Sequence, residues 1–467
     1  MDGAAVYRDY SNGHYSKYLV RAICLVTCKA RQATPFLRLN ENGPVLEPLD
    51  FASKLLNGLD AALKADLEPD RIIKIQTLAL MHLHNDGLSG VDRSSNYLSQ
   101  AICNAWSVSL HVKVPVNEDQ ERCDFLWWAL RNFDRLNKPV MGASPFMIDD
   151  TDIAIDRIVP SQDNYRSQLM AMSLELGDLM KTATKVYKAS STATVDECHD
   201  FPSFMDLASG IYLDRFHRSH KAYLEIWYHV AAMLSCRFSG PGSVHYTRRL
   251  DSANSVLGII SYEGPDSLPP LPLVPYAMSM STTVIYRALR DGVRHPEVAY
   301  NDLGVCCDNL DFLSQRWTSA KGVARLTKRL RRYIKPGTLN GQRVEIGDCS
   351  CPAVRSEPRG LSRINQSSTS SSAGGGASAQ QFAAIPVSDL LQCQEHMRQE
   401  TPQSNTDDLQ GQALDSWLDA GPSYVHLDQA FYDFFDYGMP NVFRDPATWD
   451  FLHTESNPEV SPLGAIN

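Results

Sequence analysis

From residue 15 to about residue 336 the apolar side chains recur at three- and four-residue steps, and nowhere in that span do they alternate in the period of a strand. Ile72, Ile75, Ala79 and Leu83 form one stripe. Leu98, Ala101 or Ile102, Ala105 and Val108 form a second, and Cys123, Leu126 or Trp127, Leu130, Phe133 and Leu136 a third. A 3.6-residue repeat places such residues on one face of a helix, and that face is stable only when buried against another. The expected fold class is therefore all-α, with one large helical domain over residues 1–335. Asn85-Asp-Gly87 and the segment 115–119 punctuate it as helix stops and caps. Residues 204–238 predict a long aromatic-rich helical stretch with a break inside it, and residues 244–261 another helix. Residues 276–292 and 298–334 predict two more. Between them Pro269, Pro270, Pro272 and Pro275 exclude interior helix over 267–275, because proline lacks the amide proton that a helix needs.

With 43% hydrophobic residues the chain can bury a large core. No run approaches the ~18–20 uninterrupted apolar residues of a membrane span. The apolar patch at 18–27 is broken by Arg21 and has no small-residue cleavage pattern behind it, so neither a span nor a secretory signal is expected. Eleven scattered cysteines, an odd number, indicate reduced thiols in a cytosolic or nuclear protein. Charge is unevenly placed. Residues 401–467 carry eleven Asp and Glu against the single Arg444, so the formal excess of −10 lies there and the rest is neutral. Such a body offers no broad basic surface for DNA. Residues 336–400 predict a Ser/Gly-rich linker, centred on 367–379, with a short helix at 387–400.

One compound motif stands out. It runs Glu121-Arg122-Cys-Asp-Phe-Leu-Trp127-Trp128-Ala-Leu-Arg-Asn-Phe-Asp134-Arg135 and continues as Gly142-Ala-Ser-Pro145-Phe-Met-Ile148-Asp149-Asp150. Adjacent tryptophans on a helix point about 100° apart, so one can fill a core while the other packs at a helix seam. Arg122, Asp134 and Arg135 are placed to pair across neighbouring helices and fix their register. Together with the preceding Ser109-Leu110-His111, the motif resembles the middle homology region of fungal-specific transcription factors. The likeness covers roughly residues 15–160 and continues more weakly to about 335.

That resemblance implies a helical regulatory domain in a nuclear regulator of RNA polymerase II–dependent genes, not an enzyme. It also implies coactivators or other transcription proteins as partners, and a small-molecule effector. There are two departures. The family's Gly-Arg-Pro turn is Gly142-Ala143-Ser144-Pro145 here, so the contacts of that arginine do not carry over. The family's binuclear zinc cluster begins Cys-x2-Cys-x6-Cys, whereas the first pair here is Cys24-x3-Cys28 and the next cysteine is Cys103. No metal or cofactor is therefore expected in this chain. Promoter DNA would be reached only through sequence missing from it, the chain starting inside the family's domain, or through a partner chain. The alternative is a DNA-independent co-regulator that sequesters full-length relatives.

Other constellations favour structural roles. His82 and His84 point to opposite sides of a helix and cannot share a metal. His217 and His220 are spaced to share one but lack a third ligand. Cys306-Cys307 and Cys349-x-Cys351 lack partners at zinc spacing. Asp149, Asp150 and Asp152 suit helix capping or a solvated loop. Two functional segments remain. The run Lys321, Arg325, Lys328, Arg329, Arg331, Arg332 and Lys335 suits the negative end of a helix, and Lys328 to Arg332 also resembles a nuclear import signal. In the tail, Leu427, Phe431, Phe434 and Phe435 fall at i, i+4, i+7, i+8 among acids. That stripe fits either an activation segment captured by a coactivator groove or a final helix docked on the body.

Overall fold

The computed structural model describes residues 3–85, 90–113, 119–141, 146–187, 201–236 and 239–333. These residues form an all-α fold. The helices are α1 (Gly3–Ser11), α2 (Lys17–Thr27), α3 (Pro48–Lys64), α4 (Arg71–His82), α5 (Gly90–Ser107), α6 (Gln120–Met141), α7 (Tyr165–Ala183), α8 (Phe204–Leu207), α9 (Arg218–Leu234), α10 (Val244–Glu263), α11 (Leu273–Arg290), α12 (Pro296–Ser314) and α13 (Thr318–Tyr333). Gly142, Pro145, Cys349, Cys351, the 336–400 linker and its short helix, and the 401–467 tail with Leu427, Phe431, Phe434 and Phe435 lie outside the described residues. No helix among the described residues is long and apolar enough to cross a membrane.

Local chemistry sets the helix ends. Asp70 caps α4 by accepting the Ile72 and Ile73 amides, Asn164 caps α7 through Ser167, and Ser243 caps α10 through Tyr246. Ser203 and Asp206 form a reciprocal capping box on the single turn of α8. At the C-terminus of α5, Ser109 takes a left-handed conformation with φ +59°. Its amide and that of Leu110 then close on Trp106 and Ala105, which ends the helix as glycine usually does.

The predicted stripes correspond to α4, α5 and α6, and the break within 204–238 falls between α8 and α9. Two expectations need correction. The 298–334 stretch is two helices, α12 and α13, which turn back on each other after Ser314. Helix α11 starts at Leu273, inside the proline-rich segment, with Pro275 in its first turn. Amides of a first turn have no helical partner, so proline is tolerated there.

Packing produces two hydrophobic cores. The first gathers Leu25, Leu56, Ile75, Leu98, Trp127 and Leu130 from α2 to α6. The second gathers Trp227, Val256, Tyr276, Ile285, Cys306 and Leu330 from α9 to α13. Helix α7 serves both: Leu174 points into the first core, and Met172, Leu176 and Met180 into the second. The compound motif therefore begins on α6, beside α7.

Candidate functional site

Trp127 is fully buried and Trp128 nearly so. The Trp127 ring meets Trp106 edge-on at 4.8 Å and lies 5.6 Å from His111, while Trp106 and His111 are 4.2 Å apart. The leucine-histidine end of α5 and the first tryptophan of α6 are thus one aromatic cluster. Trp128 turns the other way, and its indole nitrogen donates to the Asp156 carbonyl at 3.0 Å. The second tryptophan therefore pins the chain that leaves the motif.

Asp134 and Arg135 do not pair across helices. They bind each other at 2.9 Å and together hold the segment that follows α6. Asp134 accepts the amides of Met147 and Ile148, each at 3.0 Å. Arg135 donates to the Ile148 carbonyl and to Asp150, both at 3.0 Å, and lies 4.6 Å over the Phe146 ring. Burial raises the Asp134 carboxyl and lowers the Arg135 guanidinium, in each case against the pull of opposite charges beside it. Arg122 stays out of this unit: it is exposed and donates to Gln76 Oε1 on α4 at 3.4 Å.

Asp150 is the hub, which corrects the expectation of a cap or a solvated loop; that expectation holds for Asp149, which accepts the Thr151 amide. Asp150 receives a two-point contact from Arg131 at 2.9 and 3.1 Å, one from Arg135 at 3.0 Å and one from Lys181 at 2.7 Å. Burial pushes its carboxyl up, but the hydrogen bonds from Arg131 and Lys181 and the charges of Arg131 and Arg135 more than offset this. They hold it well below the usual carboxylate range. Such an acid neither takes nor gives a proton near neutrality.

Cross-helix pairing is made by a residue that the motif reading missed. Arg131, 1% exposed, also donates to Asp178 on α7, and Asp178 in turn pairs with Arg157 at 2.9 Å. Gly177 makes room for this seam. A Cβ there would come within 2.7 Å of Asn132 Oδ1 and 3.1 Å of Arg131 Nη1. Arg131 had one sequence signal, its i, i+4 spacing to Arg135; Asp178 and Lys181 had none, because their partners lie roughly 20 to 50 residues away in sequence.

The remaining residues are mostly accounted for locally. His82 is buried with Nδ1 3.0 Å from the Ser94 carbonyl, and burial holds its pKa at about 4. His217 caps α9, and His220 bonds the Tyr165 hydroxyl at 2.8 Å. Cys306 and Cys307 are buried, which raises their thiols to about 12 and about 11. Among the described residues no group of three His, Cys, Asp or Glu is placed to hold a metal ion. In the basic run, Lys328 pairs with Asp311 at 2.6 Å, and Arg331 lies 4.6 Å over the Tyr300 ring with its guanidinium against Gly304. Arg332 is exposed and Arg329 partly so. The run is thus partly spent on α12. Compared with known proteins, the chain matches no family model, no curated protein and no solved structure.

Proposed function

We propose that this chain is a regulator of transcription, with the helical body as the responsive module and the acidic-aromatic tail as the segment that recruits coactivators. The observation that carries this reading is the convergence of the compound motif. Asp134, Arg135, Ile148 and Asp150 meet in one unit whose charged groups are spent on each other, Trp128 pins the chain that leaves it at Asp156, and Trp127 fills the adjacent core. A motif built that way supports an architectural regulatory domain of the kind it resembles. Its place of work would be a fungal nucleus, reached with the exposed part of the basic run, and promoter DNA would be contacted through other sequence or a partner chain.

The test is a fusion of the full chain to a heterologous DNA-binding domain upstream of a reporter. Output is expected to rise several-fold, and replacement of Phe431, Phe434 and Phe435 by alanine is expected to remove most of the rise. A silent fusion rules out the activation role. A silent fusion that lowers the output of a co-expressed zinc-cluster relative would instead support the second reading, a DNA-independent co-regulator.

A further inference from the structure

Helices α9 and α10 run antiparallel, as the Arg218–Glu263 pair between the start of one and the end of the other requires. Beside the start of α9 and the end of α10 lies an open groove of about 760 Å³. Its two walls are helical stripes. Lys221, Glu225 and His229 come from α9 at four-residue steps, and Ser255, Gly258 and Tyr262 from α10 at three- and four-residue steps. Gly258 faces the open space of the groove, where a Cβ would meet no atom within 4 Å. Phe216 and Ile259 supply apolar surface.

The charges of the groove are not evenly satisfied. Arg218 and Glu263 neutralise each other at one end, with Arg218 also 4.5 Å over the Tyr262 ring. Glu225, by contrast, has no hydrogen bond or ion pair among the described residues, although it is half-buried; the Lys221 charge attracts its carboxylate and the Glu263 charge repels it. His229 Nδ1 is buried without a partner one turn further on. The Ser255 hydroxyl is turned away from that imidazole and donates to the Asp251 carbonyl at 2.9 Å. Burial raises the Glu225 carboxyl and lowers His229 to about 4, so at neutral pH the ring carries no charge to repel a cation. Glu225 thus presents to the groove a half-buried carboxylate with no hydrogen bond or ion pair among the described residues, which suits a charged donor.

We infer that this groove binds an organic ammonium, a protonated primary or secondary amine on an aromatic or aliphatic body. The ammonium donates to Glu225, and the body lies along Phe216, Ile259 and Tyr262. The volume falls within the roughly 300–1,000 Å³ of small-molecule sites, and a charge-assisted bond to a carboxylate supplies the specificity. This inference goes beyond the regulatory reading and stands whether or not the chain controls transcription.

The experiment is calorimetric titration of the purified full chain with 2-phenylethylammonium and, separately, with 3-phenylpropionate, an anion of similar shape. Saturable binding of the ammonium and none of the anion is expected. Glu225→Gln should weaken the ammonium by at least about tenfold, as expected for loss of a charge-assisted bond. Gly258→Leu should fill the groove and abolish binding with the thermal midpoint unchanged or raised, since leucine is the better helix former. Three results would each overturn the inference: no saturable binding of the ammonium, equal or tighter binding of the anion, or ammonium binding that survives Gly258→Leu. None of them bears on the reporter assay, so the two proposals fail separately.

Discussion

A single buried imidazole gives this fold a dependence on pH. His82 is 2% exposed, and because the Ser94 carbonyl can only accept, Nδ1 carries the proton that joins them. Burial holds its folded pKa at about 4, below the roughly 6.5 of an unfolded histidine. The unfolded chain therefore binds a proton first as pH falls. The contribution of the neutral ring is intact above about 6.5 and is lost through the window down to about 4, on the order of 3 kcal/mol in all. Glutamine can keep the bond to Ser94 but cannot titrate. Urea unfolding at pH 7, 6, 5 and 4.5 should show that His82→Gln flattens the dependence by close to one proton. Identical slopes in both proteins would mean the ring is charged in the fold. Asp150 behaves in the opposite sense. Its folded pKa lies below that of a free aspartate, so the stability it brings is present above about 4 and disappears only below.

Among the elements, the end of α5 stores a correctable strain. Ser109 holds φ at +59°, where an L side chain costs about 1–2 kcal/mol and glycine costs nothing. Ser109→Gly should raise stability by about 0.5–1 kcal/mol net of the greater freedom of the unfolded chain, read as an upward shift of the thermal midpoint. A lower midpoint would show that the hydroxyl makes a contact worth more than the strain. Helices α4, α5 and α6 were legible in the sequence because each has one stripe and a short polar break. The turn between α12 and α13 was not. Leu310, Leu313, Trp317, Ala320 and Ala324 keep a helical step straight through Gln315 and Arg316, so the pattern holds no mark of the reversal. The Trp127–Trp128 pair and the Asp134–Arg135 pair were legible for the same reason that the stripes were, since all four lie on one helix. The role of Asp150 was not, because it depends on Arg131 and on a lysine from α7 that only the tertiary fold brings near.

At the scale of the whole described body, two cores are joined through α5, α6 and above all α7. Because α7 sends Leu174 into one and Met172, Leu176 and Met180 into the other, damage to either should be felt by both. Trp127→Ala removes the largest fully buried side chain of the first core and should cost about 3–5 kcal/mol. Cys123 lies in the first core and Cys306 in the second. Thiol labelling in mild denaturant, read site by site by mass spectrometry, should therefore speed up at both cysteines by a similar factor of about a hundred or more. Faster labelling at Cys123 alone would show that the cores open independently. The last of the described helices, α13, carries a different implication. An import carrier that closed over Lys328 and Arg331 would have to strip the former from Asp311 and lift the latter off Tyr300, peeling α13 from α12 as it bound. Cargo recognition and completion of the bundle would then compete for the same cations, and a carrier would select chains whose final helix had yet to dock.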